Sequence, residues 1–134
     1  MGLTQYDAFV AIAAADLETS VAFYQALLEQ APKPYVPGRY AEFQLAGLRL
    51  GLFKPQDSHA AQFANSDGAA ISLCLEVRDL DRAIAHLEST GHPPIDEITV
   101  ASHGREAYGY DPTGTRLILH EAKSRINLHE AKPE

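Results

Sequence analysis

The sequence holds one cysteine, one methionine and no tryptophan in 134 residues. A single cysteine excludes a disulfide framework and any zinc centre built from several thiolates, and it fits a cytoplasmic address. No apolar run approaches the roughly 18–20 residues that cross a bilayer. Met1 to Asp7 shows no basic segment ahead of an apolar stretch, so no secretory leader is expected. Gly2 does not open a myristoylation signal, because Tyr6 stands where Ser or Thr is required. Positive charge is scarce as well. Eleven Lys and Arg against 18 Asp and Glu leave a net charge of −7, with no basic cluster. Nucleic acid and anionic membrane are therefore not expected as partners. With 46% apolar and 22% charged residues, what remains is an ordinary globular chain, long enough to bury a core without staples.

The strongest local signal is Asp111-Pro112-Thr113-Gly114 and the alternating run Thr115 to Glu121 behind it. Asp accepts at the first corner of a type I turn, Pro presets φ at the second, and Gly takes the left-handed position that closes the hairpin. Gly47-Leu48-Arg49-Leu50-Gly51-Leu52-Phe53 repeats the pattern of Gly114-Thr115-Arg116-Leu117-Ile118-Leu119-His120. Asp16-Leu17-Glu18 likewise matches Asp79-Leu80-Asp81, and Gly38-Arg39-Tyr40-Ala41 echoes Gly104-Arg105-Glu106-Ala107. The chain reads as two copies of one unit.

In order, Ala8 to Ala15 is β-permissive, and Asp16 caps a helix from Leu17 to about Gln30, stopped by Pro32 and Pro34. Its apolar positions Leu17, Val21, Tyr24 and Leu28 recur at helical spacing. A weak strand is expected around Tyr35-Val36, then strands over Arg39 to Leu45 and Leu48 to Phe53. The second copy offers a strand over Ala70 to Val77 and a helix capped by Asp79 and ended at Gly91-His92-Pro93-Pro94. Strands follow over Ile95 to Ala101, Arg105 to Tyr110 and Thr115 to Glu121. The expectation is an α+β fold of two tandem βαβββ modules whose mixed sheet curves around a cavity. A ferredoxin-like order fits less well, because two consecutive strands lie between Pro94 and the last one. Residues 1–122 form one domain in this reading: module one about 6–54, linker 55–69 and module two about 70–122. A polar tail, 123–134, follows. It contains an echo, Leu128-His129-Glu130-Ala131-Lys132 against Leu119-His120-Glu121-Ala122-Lys123, for which we have no physical account.

The phrases Asp16-Leu17-Glu18-Thr19-Ser20-Val21-Ala22-Phe23-Tyr24 and Gly104-Arg105-Glu106-Ala107-Tyr108 through Leu117 resemble the vicinal oxygen chelate superfamily over about residues 6 to 122. That superfamily includes glyoxalase I, extradiol dioxygenases and fosfomycin- and bleomycin-resistance proteins. Its metal-dependent members carry His or Gln seven residues before each helix-capping Asp and a Glu in the strand after each Gly-containing turn. Mapped here, those positions hold Phe9, Ser72, Gly51 and Ile118. None supplies an imidazole or carboxylate, so the resemblance implies a metal-free member with no cofactor. Of the six histidines, no pair has ligand spacing on one element.

Period-two counting sets the faces. Val10, Ile12, Leu48, Leu50, Leu73, Leu75, Leu117 and Leu119 should face the helices. The cavity face should present Phe9, Tyr40, Arg49 and Phe53 from module one, together with Glu42 and Gln44. From module two it should present Cys74, Glu76, Tyr108, Tyr110, Arg116 and His120. Cys74 is read as a small buried hydrophobe, and Glu76 as the partner of Arg49 or Arg116, two arginines at matched sites of one cavity. Aromatics mixed with a few fixed charges suit a flat, polar small molecule. The function expected is binding or sequestration of an aromatic or antibiotic-like ligand by a homodimer, with cavities near the module junctions. The alternative is a glyoxalase- or dioxygenase-type enzyme with a non-standard metal site or metal-free acid/base chemistry. No catalytic residue stands out.

Overall fold

Asp16 does what its position promises: its carboxylate accepts from the Thr19 backbone N–H at 3.3 Å and from the Thr19 hydroxyl at 2.6 Å, satisfying orphan groups at the start of a helix. Asp79 repeats the device on the Arg82 N–H at 3.1 Å. The structure, a computed structural model, describes residues 2–64 and 70–123. The polar tail beyond Lys123, with its echo and His129, and the 65–69 part of the expected linker lie outside the described residues.

The chain divides into two compact units, Met1–Asn65 and Ser66–Glu134. The first runs β1 (Val10–Ala13), α1 (Leu17–Leu28), β2 (Tyr35–Val36), β3 (Tyr40–Leu45) and β4 (Leu48–Phe53). Its sheet order is β1-β4-β3-β2, with β1 parallel to β4 and the other pairs antiparallel. The second runs β5 (Ser72–Glu76), α2 (Leu80–Ser89), β6 (Thr99–Ala101), β7 (Gly104–Tyr110) and β8 (Arg116–Ala122). Its order is β5-β8-β7-β6, again with only the first pair parallel. Each unit is a βαβββ module, as the repeat implied.

Each helix covers one face of its own sheet. Tyr24 and Phe43 meet across the first core at 6.1 Å, and Leu50 and Leu52 are fully buried beside them. Leu80, Leu87, Leu117 and Leu119 build the second core. Gly109 packs closely there: an added Cβ would come within 3.1 Å of the Leu87 side chain, which would have to give way. Truncating such a leucine to Ala costs about 2–5 kcal/mol.

Three boundaries differ from expectation. Helix α1 ends before its prolines, at Glu29, which adopts the left-handed conformation at φ 52°. Strand β6 keeps only Thr99–Ala101 of the expected Ile95 to Ala101, because Asp96 and Glu97 favour turn over ladder. The stretch after Phe53, expected to be linker, holds a 3-10 helix over Asp57–Phe63. Its Phe63 ring meets Phe53 edge-on at 5.1 Å.

The weak strand β2 is real and held from outside the sheet. Glu18 of α1 accepts from the Tyr35 hydroxyl and from the Gly38 N–H at 2.7 Å. The Asp111 turn is tighter than its backbone alone requires. Gly114 takes φ 92° and its N–H reaches the Asp111 carbonyl at 3.0 Å. The buried Asp111 carboxylate accepts from the N–H groups of Thr113 at 2.8 Å and Thr115 at 2.9 Å.

Candidate functional site

The helix-free face of each sheet is organised in rungs, sets of residues that the strand register brings side by side. In the first unit Gln44 stands beside Arg49, Glu42 beside Gly51 and Ala11, and Tyr40 beside Phe53 and Ala13. In the second unit Tyr110 stands beside Arg116 and Ser72, Tyr108 beside Ile118 and Cys74, and Glu106 beside His120 and Glu76. The expected face assignment therefore matches the register in both units, and each unit presents its own polar face.

In the first unit that face is neutralised internally. Glu42, only 7% exposed, accepts from the Tyr40 hydroxyl at 2.8 Å, the Gln44 amide at 2.9 Å and the Arg49 guanidinium at 3.0 Å. These hydrogen bonds, Gln44 first, hold its carboxyl below the ordinary range. Arg49 spends its other Nη on Asp7 and lies 4.5 Å over the Phe9 ring, a cation–π contact. Phe9 itself remains 47% exposed. Burial first, then the Glu42 bond, pushes the Tyr40 phenol up, which keeps it a donor. A depression of about 600 Å³ beside this face runs between Gly38, Arg39, Tyr40 and Lys54 to Asp57, and of the expected site residues only Tyr40 borders it.

The second unit differs. Arg116 donates to the Ser72 hydroxyl at 2.9 Å, and among the described residues no carboxylate pairs with it. Glu76 pairs with neither arginine, contrary to expectation. It sits two rungs from Arg116 and accepts from His120 Nδ1 at 2.7 Å. Cys74 is exposed on the open face and not buried, because it alternates away from Leu73 and Leu75. Desolvation, then Glu76 and Glu106, pushes its thiol up, the opposite of an activated nucleophile. Tyr108 donates to Glu106 at 3.0 Å, which raises its phenol, and Tyr110 is 36% exposed.

Sequence reasoning missed His103. It sits in the turn between β6 and β7, and its Nδ1 lies 2.9 Å from His120 Nε2. Gly104 makes that approach possible. At φ 148° its absent Cβ would fall 2.1 Å from the Glu121 carbonyl oxygen, while the Lys123 N–H donates to the His103 carbonyl at 2.9 Å. The signal in the sequence was Gly104 itself, at a tight crossing after a histidine.

The four positions that the resemblance marks for metal ligands hold Phe9, Gly51, Ser72 and Ile118. The Gly51 position is also filled: the Tyr40 hydroxyl lies 2.7 Å from where a Cβ would stand. These residues do not fit a metal at that place.

A family model described as Glyoxalase/Bleomycin resistance protein/Dioxygenase superfamily matches residues 8–119. Among solved structures, a glyoxalase-related enzyme from Fulvimarina pelagi is similar at 22% identity and TM-score 0.71, covering 88% of this chain and 88% of that one. A lactoylglutathione lyase from Agrobacterium tumefaciens is similar at 21% identity and TM-score 0.63, over 88% of this chain and 94% of its own. A glyoxalase/bleomycin resistance protein/dioxygenase family enzyme from Burkholderia phytofirmans gives 17% identity and TM-score 0.72, over 85% and 96%. At these identities the likeness concerns the fold alone. No curated protein matches the sequence.

Proposed function

Because the chain belongs to the Glyoxalase/Bleomycin resistance protein/Dioxygenase superfamily, yet offers no ligand at that superfamily's four metal positions, we propose that it binds or sequesters a small molecule without using those positions. The ligand is flat, aromatic or antibiotic-like, and carries an anionic or carbonyl group. One scaffold hosts several chemistries, so the site and not the fold supports this reading.

The observation that carries it is Arg116. A guanidinium on an open sheet face, bonded to a hydroxyl and to no described carboxylate, retains donors for a carboxylate or carbonyl. Tyr110 stands in the same rung and Tyr108 in the next as stacking surface, with Cys74, Glu76 and His120 alongside. In the first unit, Phe9, Tyr40, Arg49 and Phe53 offer a corresponding but charge-compensated face. The raised Cys74 thiol and Tyr40 and Tyr108 phenols favour holding a ligand over attacking it. A homodimer in the cytoplasm completes the reading. Among the described residues no helix is long and apolar enough to cross a membrane.

Native mass spectrometry of the purified protein tests this, since it reports co-purified ligand and assembly together. A bound small organic molecule and a dimeric mass are expected. An enzyme of the superfamily's lyase or dioxygenase type would instead turn over a panel of its substrates, with or without added divalent metal.

A further inference from the structure

The rung Glu106–His120–Glu76 lies two residues along β8 from Ile118, outside the four superfamily positions, and no part of the ligand reading needs it to converge. It does converge. His103, Glu106 and His120 each bring one ligand atom within 4.8 Å of the other two, and His103 Nδ1 lies 2.9 Å from His120 Nε2. Their environments grade from exposed His103 through half-buried Glu106 to His120, which is only 6% exposed. We propose that these three side chains form a binding site for a borderline divalent cation of the zinc type, apart from the four mapped ligand positions.

The donor chemistry supports this. Glu76, an acceptor when ionised, accepts a hydrogen bond from His120 Nδ1–H at 2.7 Å. In the tautomer that donates Nδ1–H to Glu76, the His120 lone pair sits on Nε2, the nitrogen beside His103. A carboxylate behind a histidine in this way fixes the ring and makes it a better ligand. Two imidazole nitrogens on one tetrahedral zinc stand about 3.3 Å apart, given bonds of about 2.0–2.1 Å. His103 Nδ1 and His120 Nε2 are already 2.9 Å apart, joined now by one proton that a cation would replace. His103 can release that proton and carry it on Nε2 instead. Two imidazoles and one carboxylate suit Zn²⁺ or Co²⁺ and leave a coordination position open. The backbone is fixed on both sides, by the Glu106–His120 register and by the Lys123 N–H on the His103 carbonyl.

The test uses the full chain with no affinity tag, stripped with a chelator and titrated with Zn²⁺ by calorimetry and with Co²⁺ by visible absorption. One equivalent is expected. His103→Ala and Glu106→Gln should each weaken Zn²⁺ at least ten-fold, and Glu76→Gln by about ten- to hundred-fold. His103 is exposed, so its replacement leaves the core intact, and an unchanged melting temperature verifies this. His129→Ala, outside the described residues, should change nothing. Absence of Zn²⁺ binding by the unaltered protein, or wild-type affinity in His103→Ala, overturns the proposal. Either result leaves the Arg116 ligand reading standing, because Arg116 contributes no metal donor.

Discussion

The Tyr40 ring lies over Gly51, its hydroxyl 2.7 Å from the point where a Cβ on that glycine would stand. The space beside Gly51, one of the four positions that the resemblance marks for a metal ligand, is occupied by a phenol bonded to Glu42. Gly51→Ala must displace that ring, and overpacking of this kind costs about 1–3 kcal/mol. Tyr40→Ala removes the obstacle. In a double-mutant cycle by urea denaturation, the pair should therefore cost less than the sum of the single changes. Additive costs would mean the two residues do not compete for the same space.

Glu42 makes stability depend on pH with a defined sign. Its folded-state pKa lies below the ordinary 4.5, through bonds from Gln44, Tyr40 and Arg49. A depressed carboxyl contributes stability that is fully present above its unfolded pKa and is lost as pH falls through the folded value. Chemical denaturation from pH 7 down to pH 3 should show this loss. Glu42→Gln should be less stable at pH 7, yet lose less on acidification than the unaltered protein. Parallel pH profiles for the two proteins would show that Glu42 does not carry the dependence.

The turn at Asp111 yields a third expectation. Asp111 is 3% exposed, and its carboxylate accepts from two N–H groups and from the Thr113 hydroxyl at 2.7 Å. Asp111→Ala leaves those donors without this partner and should cost about 1–3 kcal/mol. Asp111→Asn keeps an acceptor and should recover most of that. Equal losses in the two variants, measured as urea midpoints, would argue against the turn bonds as the cause.

Much of this was legible in the residues. The Asp16 and Asp79 caps, the Asp-Pro-x-Gly turn and the period-two faces each act locally, and the two-fold repeat tied them into one architecture. Pairing across strands was harder. Glu76 and His120 are 44 residues apart, and only the parallel register of β5 on β8 puts them in one rung. The expectation that Glu76 neutralises an arginine came from charge alone, without that register. Residue type alone favours a buried Cys74, while alternation with Leu73 and Leu75 places it on the open face. His103 could not be placed from periodicity at all, since a turn has none. Its position rests on Gly104 crossing the Glu121 carbonyl.

Arg116 bears the central claim, and Arg49 supplies its internal control. Both sit on open faces at matched places, but Arg49 is held by Glu42 and Asp7 while Arg116 holds only Ser72 among the described residues. The decisive measurement is an NMR titration with a panel of aromatic carboxylates, following amide and arginine side-chain signals, repeated on Arg116→Met. The long apolar side chain preserves packing, so the variant should fold. At least one ligand should shift Arg116, Tyr108 and Tyr110 together, and Arg116→Met should weaken it about ten- to hundred-fold, the worth of one charge-assisted contact. Binding that leaves those signals still, or that is equally tight in Arg116→Met, would contradict the account.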